Sequence, residues 1–223
     1  MTDLDKVGNR SSRELDKWSD RLRSVGATPE RVWAQLRSIV SGNHDLSMVA
    51  PERLAALAVQ IYLLGLDLDP QLGQVWIRPS GKRGEASIMI GYRGWIALAG
   101  VPVHCQLVYQ GDDFRARFSS DGGLQVEHEI GPGGSEVVAA YASVTIDGER
   151  RVHVIPQARI KKAIDEGGRT WKTHPESMIR AMAIRELFKT IPATPKLTAA
   201  LKVDDMTSAQ VDPLNMPPTI GTY

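Results

Sequence analysis

The hydrophobic repeat of this chain changes from a helical period to an alternating one near Gly73, and it changes back after Pro156. Residues 15–25, 32–40 and 54–64 each carry apolar side chains three or four positions apart, as one face of a helix requires. Between the two changes, short apolar runs are separated by glycine-rich turns, which is typical of β-strands. A block of strands between two blocks of helices predicts an α+β fold.

The middle block divides into a hairpin and a longer set of strands. Residues 74–79 and 86–90 are strand-like runs on either side of a basic turn, so they predict a β-hairpin with Lys82 and Arg83 at its tip. Five further runs predict an antiparallel meander: residues 104–109, 114–118, 124–129, 137–146 and 151–155. Alternation in the fourth run predicts a strand with one buried face. The expected architecture is N-terminal helices, a β-hairpin and an antiparallel sheet flanked by helices.

The second hairpin strand ends at the corner Gly91-Tyr92-Arg93-Gly94, and helix-forming residues follow it. Glycine tolerates sharp turns and the close approach of another group, so Tyr92 and Arg93 are expected at the corner itself. An aromatic ring beside a guanidinium suits a stacked base and a phosphate. The same pattern is also an ordinary strand-to-helix turn, and the residues alone leave both interpretations open.

Charge is balanced over the whole chain but divided along it. The 223 residues carry 27 Lys or Arg and 26 Asp or Glu, so the net charge does not indicate a nucleic-acid partner. Residues 105–149 contain two arginines and eight carboxylates, whereas residues 159–202 contain ten Lys or Arg and four carboxylates. If the chain binds a polyanion, the attraction must therefore come from the basic segment rather than from the net charge.

The start of the basic segment predicts a helix followed by a loop. Arg159, Lys161 and Lys162 lie on a helix that ends at Gly167 and Gly168, and the loop from Arg169 to Thr173 contains Trp171 and Lys172. A tryptophan beside cations suits base stacking combined with contacts to the nucleic-acid backbone. The alternative is that Trp171 packs into the core.

The last long helix is expected to run from Thr173 to about Thr190, before Pro192. Arg185 and Lys189 are one turn apart and project from one face, while Arg180 lies about 140° away around the helix. One flat surface cannot use all three, so Arg180 is expected either to line a groove or to contact a neighbouring subunit. A buried structural pair with an acidic residue is the alternative for Arg185.

The acidic middle raises a rival hypothesis, a divalent metal site for phosphodiester cleavage. Its ligands would come from Asp112, Asp113, Glu127, His128 and Glu129. The spacing disfavours this site, because Glu127 and Glu129 point to one face of a strand and His128 points to the other. The two aspartates follow Gly111, where a turn favours short polar residues.

The single cysteine excludes a disulfide-bonded or multi-cysteine metal protein, and the hydropathy excludes a membrane-spanning helix. Cys105 is the only cysteine, so neither an internal disulfide nor a multi-cysteine metal site can form, and a core position is expected for it. No window reaches the roughly 18 to 20 apolar residues that cross a bilayer, and the N-terminus is polar. The sequence therefore predicts a soluble, unexported protein with no membrane partner.

Several motifs occur together in the order and spacing of one known family. The run Leu63–Pro70, then Gly73, Arg78-Pro79 and the Gly91–Gly94 corner, is followed by a second block that begins at Trp171-Lys172-Thr173-His174 and includes Arg180, Arg185, Lys189 and Pro192. In this order they resemble the RecT family of phage single-strand annealing recombination proteins. The resemblance covers residues 28–192, and several motifs in order are more specific than any one of them.

The resemblance implies a non-enzymatic function without cofactor or metal: binding of single-stranded DNA and annealing of complementary strands in homologous recombination. It implies an annealing domain, assigned to residues 28–203. The polar start of the chain and its proline-rich end predict an N-terminal lead and helix at 1–27 and a flexible tail at 204–223. The resemblance also implies a homo-oligomer, as a ring or helical filament, in the cytoplasm of a bacterial host. The expected partners are single-stranded DNA and the annealed duplex intermediate, with a phage exonuclease or a host single-strand binding protein as further candidates.

The DNA groove implied by the resemblance is bordered by the hairpin, the glycine corner and the basic helices. Its expected DNA-binding residues are Tyr92, Arg93, Trp171, Lys172, Arg180, Arg185 and Lys189, with Lys82, Arg83, Arg159, Lys161 and Lys162 as secondary contacts. Two residues depart from the family pattern, since relatives can carry an aromatic and a basic residue where this chain has Pro175 and Glu186. A general single-strand coating protein and a metal-dependent nuclease are the alternative functions.

Overall fold

The computed structural model describes residues 12–80, 84–119 and 123–209. Their helices are α1 (Ser12–Ser24), α2 (Pro29–Ser41), α3 (His44–Ser47), α4 (Pro51–Leu63), α5 (Tyr92–Ala99), α6 (Gln157–Glu166), α7 (Arg169–Thr173), α8 (Pro175–Phe188) and α9 (Pro195–Ala209). The strands are β1 (Val75–Pro79), β2 (Ala86–Ile90), β3 (Val103–Tyr109), β4 (Asp113–Phe118), β5 (Leu124–Glu129), β6 (Val137–Ile146) and β7 (Glu149–Pro156). The α+β prediction is confirmed. Within the described ranges, no helix is both long and apolar enough to cross a membrane.

The described residues divide into two units: those within 1–90 and 199–223 form the first, and those within 91–198 form the second. In the first unit, α4 begins at a proline, whose fixed φ suits the first turn of a helix, and it packs against α1 and β2. Strands β1 and β2 pair antiparallel from Val75↔Ile90 to Pro79↔Ala86, so the predicted hairpin is confirmed. Its buried face carries Val75, Ile77, Ile88 and Ile90. Lys82 and Arg83 lie outside the described residues.

The aspartate of the Leu63–Pro70 motif organises a loop in the first unit. Asp67 accepts hydrogen bonds from the Tyr62 hydroxyl at 3.2 Å and the backbone N–H of Asp69 at 2.9 Å, and it pairs with Arg31 at 3.0 Å. Burial, together with the negative charge of Asp67, raises the pKa of Tyr62 to about 12. Leu66 and Leu68 are buried on either side of Asp67. This motif therefore stabilises the turn after α4.

The second unit is built on a three-stranded antiparallel sheet in the order β3-β6-β7. Helix α8 packs on one face, where the Cys105 thiol lies 3.8 Å from the carbonyl oxygen of Arg180, and burial raises the pKa of that thiol to about 12. The opposite face packs against the hairpin β4-β5, through a cluster in which Val108 and Tyr141 meet Phe114 and Val126. Helix α8 and the hairpin β4-β5 thus cover opposite faces of the sheet around its central strand β6.

Two predictions about this sheet are wrong. The strands do not form one meander, because β3 pairs with β6 and the hairpin β4-β5 is a separate two-stranded sheet. Strand β6 is also buried on both faces from Ala139 to Val144, rather than on one. The cause is the inserted hairpin, which folds back over the face that alternation alone assigns to water. A nearly continuous apolar run, as in Val137–Ser143, is typical of a strand buried on both faces.

The short segment α7 corrects a third prediction, since residues 169–173 form one helical turn and not a loop. Trp171 is half-buried there against Gly167, and a Cβ on that glycine would lie 2.5 Å from the indole Cδ1 and Cγ atoms. Only a residue without a side chain leaves room for the ring. The indole therefore fixes the junction between α6 and α7, although part of the side chain remains exposed.

The C-terminal segment also differs from its prediction. Residues 195–209 form α9, which extends into the segment 204–223 that was expected to be a flexible tail. The helix starts at a proline that follows a capping residue, and the Thr194 hydroxyl accepts from the backbone N–H of Leu197 at 3.2 Å. The same Thr-Pro signal precedes α2, so the start of α9 was readable. Residues 210–223 lie outside the described part of the chain.

Candidate nucleic-acid interface

Ten of the twelve predicted DNA-binding residues lie within the described ranges, and all ten belong to the second unit. Nine of them lie on four helices, and the tenth, Lys189, directly follows α8. The nine are Tyr92 and Arg93 on α5, Arg159, Lys161 and Lys162 on α6, Trp171 and Lys172 on α7, and Arg180 and Arg185 on α8. Helices α5 and α7 both pack against α8, and α6 packs against α7 and the sheet. The fold therefore gathers most of the predicted set onto one group of helices.

Tyr92 and Arg93 form an aromatic–cation pair at the start of α5. Gly91, in extended conformation, precedes the helix, so the corner is the predicted strand-to-helix turn. The Arg93 Nε donates to the Tyr92 hydroxyl at 3.3 Å, and its guanidinium carbon lies 5.9 Å from the ring centroid. Arg93 is exposed, and none of the described carboxylates lies within 4 Å of it. Its remaining N–H donors can therefore meet a phosphate.

Helix α7 presents a second group of cations. Lys172 is exposed and has no carboxylate partner within 4 Å among the described residues. The same holds for Arg169, which lies three positions earlier and so on the same side of this helical turn. Arg169 is absent from the predicted binding set, because the helical turn that brings it to the side of Lys172 was not predicted. The i, i+3 spacing of two basic residues was the signal that could have found it.

Arg159 and Lys189 hold the two oxygens of one carboxylate. Arg159 Nη2 lies 2.9 Å from Oε2 of Glu186, and Lys189 Nζ lies 3.2 Å from Oε1. Burial by itself raises the pKa of Glu186, but the hydrogen bonds and charges of Arg159 and Lys189 outweigh it, so the pKa is lowered. The two cations are therefore partly neutralised in the protein, which their positions in the sequence did not show.

Three other predicted cations pair with carboxylates at the surface. Lys161 lies 3.0 Å from Glu136, Lys162 lies 3.9 Å from Glu166, and Arg180 lies 3.2 Å from Glu176, which also accepts from the Tyr109 hydroxyl. Exposed ion pairs contribute little to stability, but each of these three cations already has a carboxylate within 4 Å. Arg185 is half-buried one turn before Lys189. Arg93, Arg169 and Lys172 are therefore the cations most available to a polyanion.

The acidic residues of the rival metal hypothesis fall into two groups. Glu127 and Glu129 are exposed on β5, while His128 points to the opposite face, as the spacing predicted. Asp112 is enclosed: Oδ2 accepts from the backbone N–H of Tyr109 at 2.8 Å and contacts His128 Nε2 at 3.0 Å, and Oδ1 accepts from Gly131 N–H at 2.9 Å. These hydrogen bonds, led by that of Tyr109, lower the pKa of Asp112. Its carboxylate stabilises the base of the hairpin β4-β5.

His153 lies on β7 beside the group formed by Arg159, Glu186 and Lys189. Burial lowers the pKa of its imidazole, Glu186 opposes that effect, and Arg159 adds to it. A lowered pKa means that the folded protein takes up this proton less readily than the unfolded chain. The contribution of the neutral imidazole to the free energy of unfolding is therefore complete above about pH 6.5, the pKa of histidine in the unfolded chain. It is lost as the pH falls through the lower pKa of the folded protein.

Replacing His153 by glutamine is expected to flatten the loss of stability between about pH 7 and pH 5. One proton changes the free energy of unfolding by at most about 1.4 kcal/mol per pH unit, and the half-buried ring gives less because solvent screens it. Urea unfolding at each pH measures the slope. Equal slopes for His153→Gln and the wild type would contradict the prediction.

Comparison with known proteins agrees with the motifs. A model of the RecT family matches residues 30–217. Protein RecT of Escherichia coli (strain K12) is 30% identical over 184 residues, which cover 74% of this chain and 67% of that protein. Uncharacterized protein YqaK of Bacillus subtilis (strain 168) is 24% identical over 177 residues, and the match covers 75% of this chain and 59%, less than two thirds, of that relative. The predicted resemblance is confirmed, and the chain belongs to the RecT family.

Proposed function

We propose that this protein binds single-stranded DNA and promotes the pairing of complementary strands in homologous recombination. Membership of the RecT family supports the recombination context. The observation that carries DNA binding is the exposure, on α5 and α7, of Arg93, Arg169 and Lys172 next to the aromatic rings of Tyr92 and Trp171. Cations that contact the phosphates and rings that contact bases are the two elements of single-strand binding without sequence preference.

Annealing requires contacts to the strand that leave its base edges available. Phosphate contacts from Lys and Arg hold a strand without reading its sequence, so a second strand can still pair with it. Formation of the duplex drives the reaction, at roughly 1.4 kcal/mol per base-pair step from stacking. The protein contributes charge neutralisation and alignment, and no side chain needs to act as an acid, base or nucleophile.

The proposal extends to assembly and to location. Several copies along one strand, in a ring or a helical filament, would continue the row of phosphate contacts from one subunit to the next. Residues 28–203 would form the annealing domain, acting in the cytoplasm of a bacterial cell on single-stranded DNA and the annealed duplex intermediate. A phage exonuclease or a host single-strand binding protein would then supply or hand over the strand.

Equilibrium binding of labelled oligonucleotides in EDTA tests the DNA-binding part of the proposal. Fluorescence anisotropy is expected to show that single strands of unrelated sequence bind with similar affinity. The logarithm of the binding constant should fall linearly with the logarithm of the salt concentration. Gel analysis of the same strands, incubated with the protein both in EDTA and in Mg²⁺ without EDTA, should show unchanged length in both. Failure to bind single strands at low salt would overturn the proposal, whereas cleavage that requires a divalent metal would favour the nuclease.

A further inference from the structure

Glu186 is the carboxylate in closest contact with the predicted DNA-binding cations. Its side chain is 14% exposed, while those of its partners Arg159 and Lys189 are 46% and 38% exposed. Each carboxylate oxygen faces one cation, at 2.9 Å and 3.2 Å. The partners come from two elements, since Arg159 lies on α6 and Lys189 follows the end of α8. The carboxylate is therefore enclosed while both cations remain accessible from solvent.

A backbone phosphate presents the same features to a protein as this carboxylate. Its two non-bridging oxygens share one negative charge and accept charge-assisted hydrogen bonds from Arg and Lys. A guanidinium has five N–H donors and an ammonium has three, so each partner of Glu186 keeps further donors. The three side chains together carry one positive charge, and without Glu186 they would carry two. A strand that approaches this pair therefore meets a weaker field than the two cations alone would produce.

We propose that Glu186 is an internal competitor for the DNA backbone: in the free protein its carboxylate takes the place between Arg159 and Lys189 that a phosphate takes in the complex. This inference rests on the proposed function, and it assigns to Glu186 the control of how tightly and for how long a strand is held. Pairing two strands requires that phosphate contacts break and re-form while the strands align. A competing carboxylate lowers the cost of breaking them, because Arg159 and Lys189 regain a partner on release.

Replacing Glu186 by glutamine tests the proposal, because the amide keeps the shape of the side chain and removes its charge. Binding of a labelled single strand is expected to tighten about tenfold, because no ion pair between this side chain and Arg159 or Lys189 has to break when a phosphate binds. Release into an excess of unlabelled strand should slow by a similar factor. Glu129→Gln removes an exposed carboxylate on β5 that has none of the described predicted DNA-binding cations within 4 Å, and it is the matched control with unchanged affinity.

A double-mutant comparison separates competition from a structural role and remains informative if Glu186→Gln lowers stability. Lys189→Gln is expected to weaken binding little in the wild type, where the lost phosphate contact is offset because the Lys189–Glu186 pair no longer has to break, and about tenfold in the Glu186→Gln background. Equal effects in both backgrounds, or an affinity unchanged by Glu186→Gln, would overturn the inference. A wild-type protein that binds no single strands would instead overturn the proposed function, so the two failures are distinguishable.

Discussion

Replacing Gly131 by alanine is expected to destabilise the protein by about 3 kcal/mol or more, the largest effect on stability predicted for a single substitution here. A Cβ at this position would overlap the backbone carbonyl of Gly111, and neither chain segment can move away easily. The N–H of Gly131 donates to Asp112, which is held in turn by Tyr109 and His128. The added methyl would therefore disturb the base of the hairpin β4-β5.

Chemical denaturation compared with Gly123→Ala measures this effect. Gly123 lies in the same hairpin, and the nearest atom to an added Cβ there is the Ser119 hydroxyl oxygen at 3.9 Å, an ordinary contact. Gly123→Ala should therefore change the free energy of unfolding by less than about 1 kcal/mol. Similar losses for both variants would show that the close approach at Gly131 does not hold the hairpin in place.

Removing the three accessible cations together is expected to have the largest effect on function. The variant Arg93→Ala/Arg169→Ala/Lys172→Ala should bind single strands at least about a hundredfold more weakly, if each lost contact costs about 1 to 1.5 kcal/mol. The salt dependence should fall by about 2, which is 0.7 for each phosphate contact. Because phosphates carry no sequence information, the loss should be equal for unrelated strands.

The matched control for this triple variant removes cations that are already paired. Lys161→Ala/Lys162→Ala takes away two positive charges whose partners are Glu136 and Glu166, so it changes the overall charge without removing an available phosphate contact. It should weaken binding much less and leave the salt dependence nearly unchanged. Equal losses in the two variants would mean that overall charge, rather than the faces of α5 and α7, determines binding.

The local elements could be predicted from the sequence wherever one physical signal was dominant. The period of two and the basic turn predicted the hairpin β1-β2, and Gly91 predicted the turn into α5. The partner of β3 could not be predicted, because strand pairing depends on contacts far apart in the chain and the hairpin β4-β5 is inserted between β3 and β6. Burial of β6 on both faces follows from the same insertion.

The sequence predicted most of the basic residues of the candidate interface, but not which of them form ion pairs with carboxylates. Clustered Lys and Arg after residue 159 indicated a basic surface, and all the described members of the predicted set do lie in one unit. Which cations are neutralised depends on distances across elements, as between Arg159 on α6 and Glu186 on α8, and a sequence does not contain them. Arg169 was missed because a five-residue helix gives too short a periodic signal.

The rate at which two complementary, fluorophore-labelled strands become duplex, measured in EDTA with and without the protein, distinguishes a protein that anneals strands from one that only binds them. We expect faster annealing that disappears at high salt, and little acceleration by the Arg93→Ala/Arg169→Ala/Lys172→Ala variant. Strand binding with unchanged or slower annealing would contradict this expectation, and would assign the accessible cations of α5 and α7 to a protein that coats single strands and keeps them apart.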